Sequence, residues 1–275
     1  MKKLDSWVLK ICSSAKDEEI IKVPEVMAAF YNNFKRLPEE IVWEYRTKEQ
    51  FIEQYKDFKR SKIIPLLKDA TNNLNAYGFI SVLRTAELLG SVIDDLNTKK
   101  LVPAAVCARS MLELACTMSV YVNEINNDFI DVIEINNGKM KGDLDKSLFK
   151  LEKDLVMAFW GEGNKESDYR QINVMKTISM ISAQIEGDTP FKFYKLLCEI
   201  AHPNYLGNTR FLSELYETDN KINVLAIRKN DENPPQELII LILWVLSFSL
   251  KLVIVKYGDV LKIINQLDAS FRQKH

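Results

Sequence analysis

Histidine is nearly missing from this chain: His202 and the terminal His275 are the only two in 275 residues. A multi-histidine metal centre has no ligands to draw on, and a Ser-His-Asp triad could use only His202. Glycine and proline are sparse as well, at nine and eight. No P-loop, GxGxxG, HExxH or GxSxG motif occurs. No cofactor and no metal are therefore expected. Asp94-Asp95 is the one local hint of a carboxylate metal site, and two surface acids account for it equally well. The four cysteines, Cys12, Cys107, Cys116 and Cys198, form no CxxC pair. Three lie in apolar helical context, so buried free thiols in a reducing cytoplasm are expected rather than a disulfide framework. Net charge is −1 and the pI is about 6.2, so any basic surface for nucleic acid must be local. The start, MKKLDSWVLKICSSAKDEE, holds no apolar stretch of signal-peptide length and reads as no secretion signal. Leu238 to Leu250, LIILILWVLSFSL, is thirteen uncharged residues. A membrane span needs about 20, so this run reads as a buried bundle helix and no membrane contact is expected.

What fills the chain is helical spacing. Residues 1–70 read as an N-terminal extension of several helices, with Pro24 and Pro38 at helix-start positions. Residues 71–275 read as a helical bundle. Asn75 to Asp95 and the helix opened by Pro103 should pair as an antiparallel hairpin across the short NTKK break. The polar stretch Asn123 to Gly142 reads as a loop, Leu144 to Trp160 as a helix, and GEGNKESD as a loop and lid. Gln171 to Ile185 reads as another helix. Thr189 should cap the following helix, with Pro190 at its first position, and His202-Pro203 should end it. Alternation in INVLAIRK suggests a small β-hairpin near 211–228.

Pro103 to Glu124 is apolar nearly all round, which marks a core helix. Yet Arg109 and Glu113 sit in it four residues apart, on one face. Burying such a pair costs several kcal/mol per ion, roughly, before their attraction is counted. Two explanations stand: a buried polar network that locks helices in register, or a functional cleft. His202 stands out by elimination. It is either a helix-terminal cap or a proton-transfer group. Tyr55 to Lys68 carries Lys56, Lys59, Arg60, Lys62 and Lys68 with Tyr55 and Phe58 between them. Such a run suits RNA contact, although a charge run of this size is more usually a solvated helix face.

The run A108-RSMLELA, followed about ninety residues later by Y194-KLLCEIAHPNY, resembles the HEPN-like helical proteins of bacteria. It is most similar to a subgroup with an ARxxxE helix and a YxxLxxxxHP helix. The resemblance covers roughly Asn75 to His202 and the last apolar helix. It implies an all-α, HEPN-like bundle that often dimerises. Many such proteins are metal-independent endoribonucleases in toxin–antitoxin and phage-defence systems, with an Arg-x4-6-His motif, and others are inert binding or sensor domains. At the six-residue spacing this chain has Lys195 instead of arginine, and lysine lacks the planar fork that grips phosphate. The implied site is then His202 for proton transfer and Arg109 or Lys195 for phosphate charge. Glu113 would orient Arg109, and Tyr194 and Asn204 would supply hydrogen bonds. Lys59, Arg60 and Lys62 would contact RNA. The expected partners are RNA, a second copy of the chain, and a protein of a defence or antitoxin complex.

Overall fold

The computed structural model describes residues 2–44, 49–50, 53, 63–161, 170–202, 208, 212–217, 223–227 and 235–272. The fold class is all-α. The helices are α1 (Ser6–Ser14), α2 (Glu18–Ile21), α3 (Val23–Phe34), α4 (Ile63–Asn97) and α5 (Leu101–Asn136). They continue with α6 (Leu144–Trp160), α7 (Val174–Ser182), α8 (Thr189–Ala201) and α9 (Gln236–Arg272). Between α8 and α9 two short strands, β1 (Leu212–Glu217) and β2 (Asn223–Ile227), pair antiparallel from Leu212 opposite Ile227 to Glu217 opposite Asn223. Lys59, Arg60, Lys62 and residues 162–168 of the GEGNKESD stretch lie outside the described residues.

Two compact units share the chain. One gathers Met1–Asn32, Thr85–Leu114 and Ile181–Lys251; the other gathers Asn33–Arg84, Ala115–Met180 and Leu252–His275. The sequence boundary near residue 70 falls inside the unbroken helix α4. In the first unit the N-terminus is pinned to the end of α4. Lys2 pairs with Asp94 and donates to the Gly90 carbonyl, and Asn97 bridges the Lys3 carbonyl and the Asp5 amide at 2.8 Å each. Lys2 therefore accounts for the Asp94 carboxylate. The apolar side of α9, including Ile239, Ile242, Leu243, Val245, Leu246 and Leu250, is buried. Its interrupting Lys251 is held by Glu19 of α2 at 2.6 and 2.7 Å, and Glu19 also accepts from the Ser247 hydroxyl. Both side chains keep 38% of their surface exposed, so the pair adds only modestly to stability.

A three-residue turn, Thr98–Lys100, joins α4 to α5, with Lys99 in the left-handed region at φ 58°. Asp95 lies beside Cys107 near the turn, while Tyr77 and Tyr121 meet edge to face at 6.5 Å far from it. Both contacts fit the expected antiparallel hairpin.

Three sequence expectations are corrected. Asn123 to Gly142 is not a loop: α5 runs on to Asn136. Ile125, Phe129 and Val132 recur at helical spacing and are all buried, so the apolar stripe outweighs the intervening asparagines. Pro38 opens no helix; residues 38–44 are irregular. Trp43 wedges this segment in place, packed at a tilt against Phe159 and Trp160 with ring centroids 4.7 and 5.5 Å away, and with its indole N–H on Asn73 at 2.9 Å. Asn72 donates to the Glu44 carbonyl beside it. Thr189 does not cap α8. It is the first helical residue, and the exposed Phe191 amide is satisfied by the Ser182 hydroxyl. Residues 66–97, 101–136 and 236–266 are each long and apolar enough to cross a membrane by length and composition alone, and 56–61% of their most apolar windows is buried in protein.

Candidate functional site

Helix α5 places Arg109 and Glu113 one turn apart, with Arg109 Nε 3.2 Å from Glu113 Oε1. The pair is neither sealed nor free: the side chains keep 26% and 25% of their surface exposed. The buried neighbours Ala105, Ala108, Met111, Leu112, Ala115 and Cys116 define the rest of the helix as core. The Arg109 Nε atom itself is buried and makes no well-aligned hydrogen bond among the described residues. Arginine N-terminal to glutamate is also the weaker order for an i,i+4 pair. The helix alone does not explain why Glu113 stays where it is.

Helix α8 supplies the reason. Tyr194 and Cys198, again one turn apart, bring their polar ends to the same place in the first unit. Burial first, then the Cys198 thiol and the Glu113 carboxylate, push the Tyr194 hydroxyl well above the ordinary tyrosine range. Tyr194 is therefore a protonated phenol at physiological pH, a donor able to bind Glu113 and unable to act as a base. Arg109, Glu113, Tyr194 and Cys198 form one polar seam between α5 and α8.

Two further predicted residues lie beside this seam rather than in it. His202 caps the C-terminus of α8, its backbone N–H on the Cys198 carbonyl, and its side chain is exposed. Lys195 is exposed on the same side of α8, but its ammonium sits 4.5 Å over the Phe191 ring. Phe191 is one turn before Lys195, so the cation leans away from His202. Asn204 lies outside the described residues. Chemically the arrangement offers a part-exposed guanidinium with a fixed carboxylate behind it, and an accessible imidazole at the end of the adjoining helix. Cys198 was missed as a member of the seam; its spacing from Tyr194 was the signal available.

The second unit holds a cluster that sequence reasoning missed entirely. Asp128 of α5 is buried, and Lys150 of α6 pairs with it and with Asp154 at 3.5 Å. Burial and the neighbouring Asp154 carboxyl push Asp128 up to about 6. Reading residues 123–142 as a loop hid this cluster. The same unit has a polar concavity of about 240 Å³ lined by Asn123, Asn126, Asp259 and Lys262. Lys256 bridges Asn123 and Asp259 at its edge, at 2.8 and 2.9 Å. No family model matches this chain, and neither a curated protein nor a solved structure matches it.

Proposed function

We propose that the chain is a HEPN-like helical protein that cleaves RNA without a metal ion, as the effector of a bacterial anti-phage or toxin–antitoxin system. One observation carries the reading. The two motifs that suggested it meet in space, because Glu113 of the ARxxxE helix and Tyr194 of the YxxLxxxxHP helix share a polar seam. In this reading His202 takes the proton from a ribose 2′-OH. The 2′-oxygen attacks the adjacent phosphorus, the bond to the 5′-oxygen breaks, and that oxygen takes a proton from solvent water as it leaves. Arg109 stabilises the charge that builds on the phosphate oxygens, and Glu113 and Tyr194 fix the guanidinium. Lys195 lies near the site as a second cation, and Asn204, Lys59, Arg60 and Lys62 remain proposed RNA contacts. In this reading the protein acts as a cytoplasmic homodimer. The test is RNA cleavage by purified protein in EDTA, with His202→Ala as control. Equal activity in the variant removes His202 as the base.

A second reading has its own support. The buried Arg109 Nε and the Lys195 ammonium turned toward Phe191 suit a structural lock better than a phosphate clamp. Under it, the chain is a non-catalytic HEPN-like interaction or sensor subunit of a defence complex. RNA that is neither bound nor cut by the intact protein selects this reading.

A further inference from the structure

The second unit contains a site the RNA reading does not use. Asp128 on α5 keeps only 2% of its side chain exposed, and Asp154 on α6 keeps 11%. Both carboxylates turn to a single cation, Lys150, whose own side chain is 61% exposed. One Asp128 oxygen takes the Lys150 bond. The other, Oδ2, is buried and has no hydrogen-bond partner among the described residues. Its neighbour is the Asp154 carboxyl, which is also an acceptor when ionised. Two ionised carboxylates cannot satisfy each other, and the missing donor between them is a proton.

The other groups facing the pair do not supply it. Glu124 on α5 adds a third, half-buried carboxyl toward Asp154 and Lys150, and Lys176 of α7 also acts on it. Tyr121 faces Glu124 and Asp154, and its oxygen accepts the Ile172 amide at 3.0 Å. Among the described residues Lys150 is the one cation acting on Asp128, against the neighbouring Asp154 carboxyl.

We propose that Asp128, Asp154 and Lys150 form a proton-operated latch between α5 and α6. In its deprotonated state the exposed Lys150 ammonium bridges the two carboxylates. On acidification one proton enters between them, Asp128 and Asp154 hydrogen-bond directly, and Lys150 is released to solvent. The latch is thus a sensor of mild acidity built into the helix pair, and it is independent of whether the other unit cuts RNA.

The test is a carbon-13 NMR titration of the intact chain with labelled aspartate. The two signals are assigned with Asp128→Asn and Asp154→Asn. The expected result is a shared titration of the two carboxyls, with at least tenfold higher proton affinity than an ordinary aspartate. Lys150→Met should raise that affinity at least tenfold again, and Lys150→Arg should leave it within about threefold. Wild-type titration of both carboxyls in the ordinary aspartate range overturns the proposal. An unchanged midpoint in Lys150→Met overturns it too. If that variant does not fold, the wild-type titration alone decides.

Discussion

Asp128→Asn should stabilise the second unit at neutral pH and lose that advantage in mild acid. An unfolded aspartate ionises near 3.8, whereas the folded Asp128 carboxyl is held at about 6 by burial and by Asp154. Each unit of difference is worth about 1.4 kcal/mol, so keeping Asp128 ionised in the folded state costs about 3 kcal/mol. The folded state binds the proton more tightly than the unfolded one. Stability therefore rises as pH falls from about 6 toward 3.8, and the whole penalty stands above that window. This is the reverse of the usual salt-bridged carboxylate. The asparagine variant carries no charge to bury and its amide can donate to Asp154, so its stability at this position is independent of pH. The gap between variant and wild type should therefore shift by roughly 3 kcal/mol between pH 7.5 and pH 4, in favour of the wild type at low pH. Hydrogen exchange at the amides of residues 117–136 and 144–160, corrected for intrinsic rates, reads this locally. Taking the difference between two proteins cancels every titrating group that does not interact with Asp128. A gap that stays constant across this range refutes the reasoning.

Other outcomes follow from the packing and the seam. Trp43→Ala strips the contacts with Phe159 and Trp160 and the Asn73 hydrogen bond, and should cost about 2–3 kcal/mol in urea denaturation of the second unit. Glu19→Ala leaves Lys251 and Ser247 without their acceptor; at this partial exposure the loss should be about 1 kcal/mol, read as a lower midpoint in the first unit. Tyr194→Phe removes the donor to Glu113, costs about 1 kcal/mol, and should lower kcat for RNA cleavage more than it raises KM. Cys12 and Cys116, whose thiols burial pushes up to about 11 and about 12, should resist iodoacetamide at pH 8 until the protein is unfolded.

How much could be read in advance depended on whether a residue's role was local. Leu144–Trp160 and the end of α8 at His202 were legible, because helix spacing and the Pro203 stop act within a few residues. Arg109–Glu113 was legible as a pair, since i,i+4 geometry needs no tertiary information. Its partner set was less so. Tyr194 was named, but its junction with Glu113 and Cys198 depends on how α5 and α8 meet. The continuation of α5 past Asn123 was misread because asparagines and acids dominate that stretch, while Ile125, Phe129 and Val132 find their cover only in the fold. That misreading also concealed Asp128, whose partner Lys150 lies on the next helix. Pro38 failed for the same reason: the Trp43 contacts outweigh a local start signal.

Product analysis after incubating RNA in EDTA bears most directly on the functional reading. The account predicts new 2′,3′-cyclic phosphate and 5′-hydroxyl ends from the wild type, with Arg109→Ala and His202→Ala each abolishing them. Intact RNA under these conditions, or identical ends from the His202→Ala variant, contradicts it.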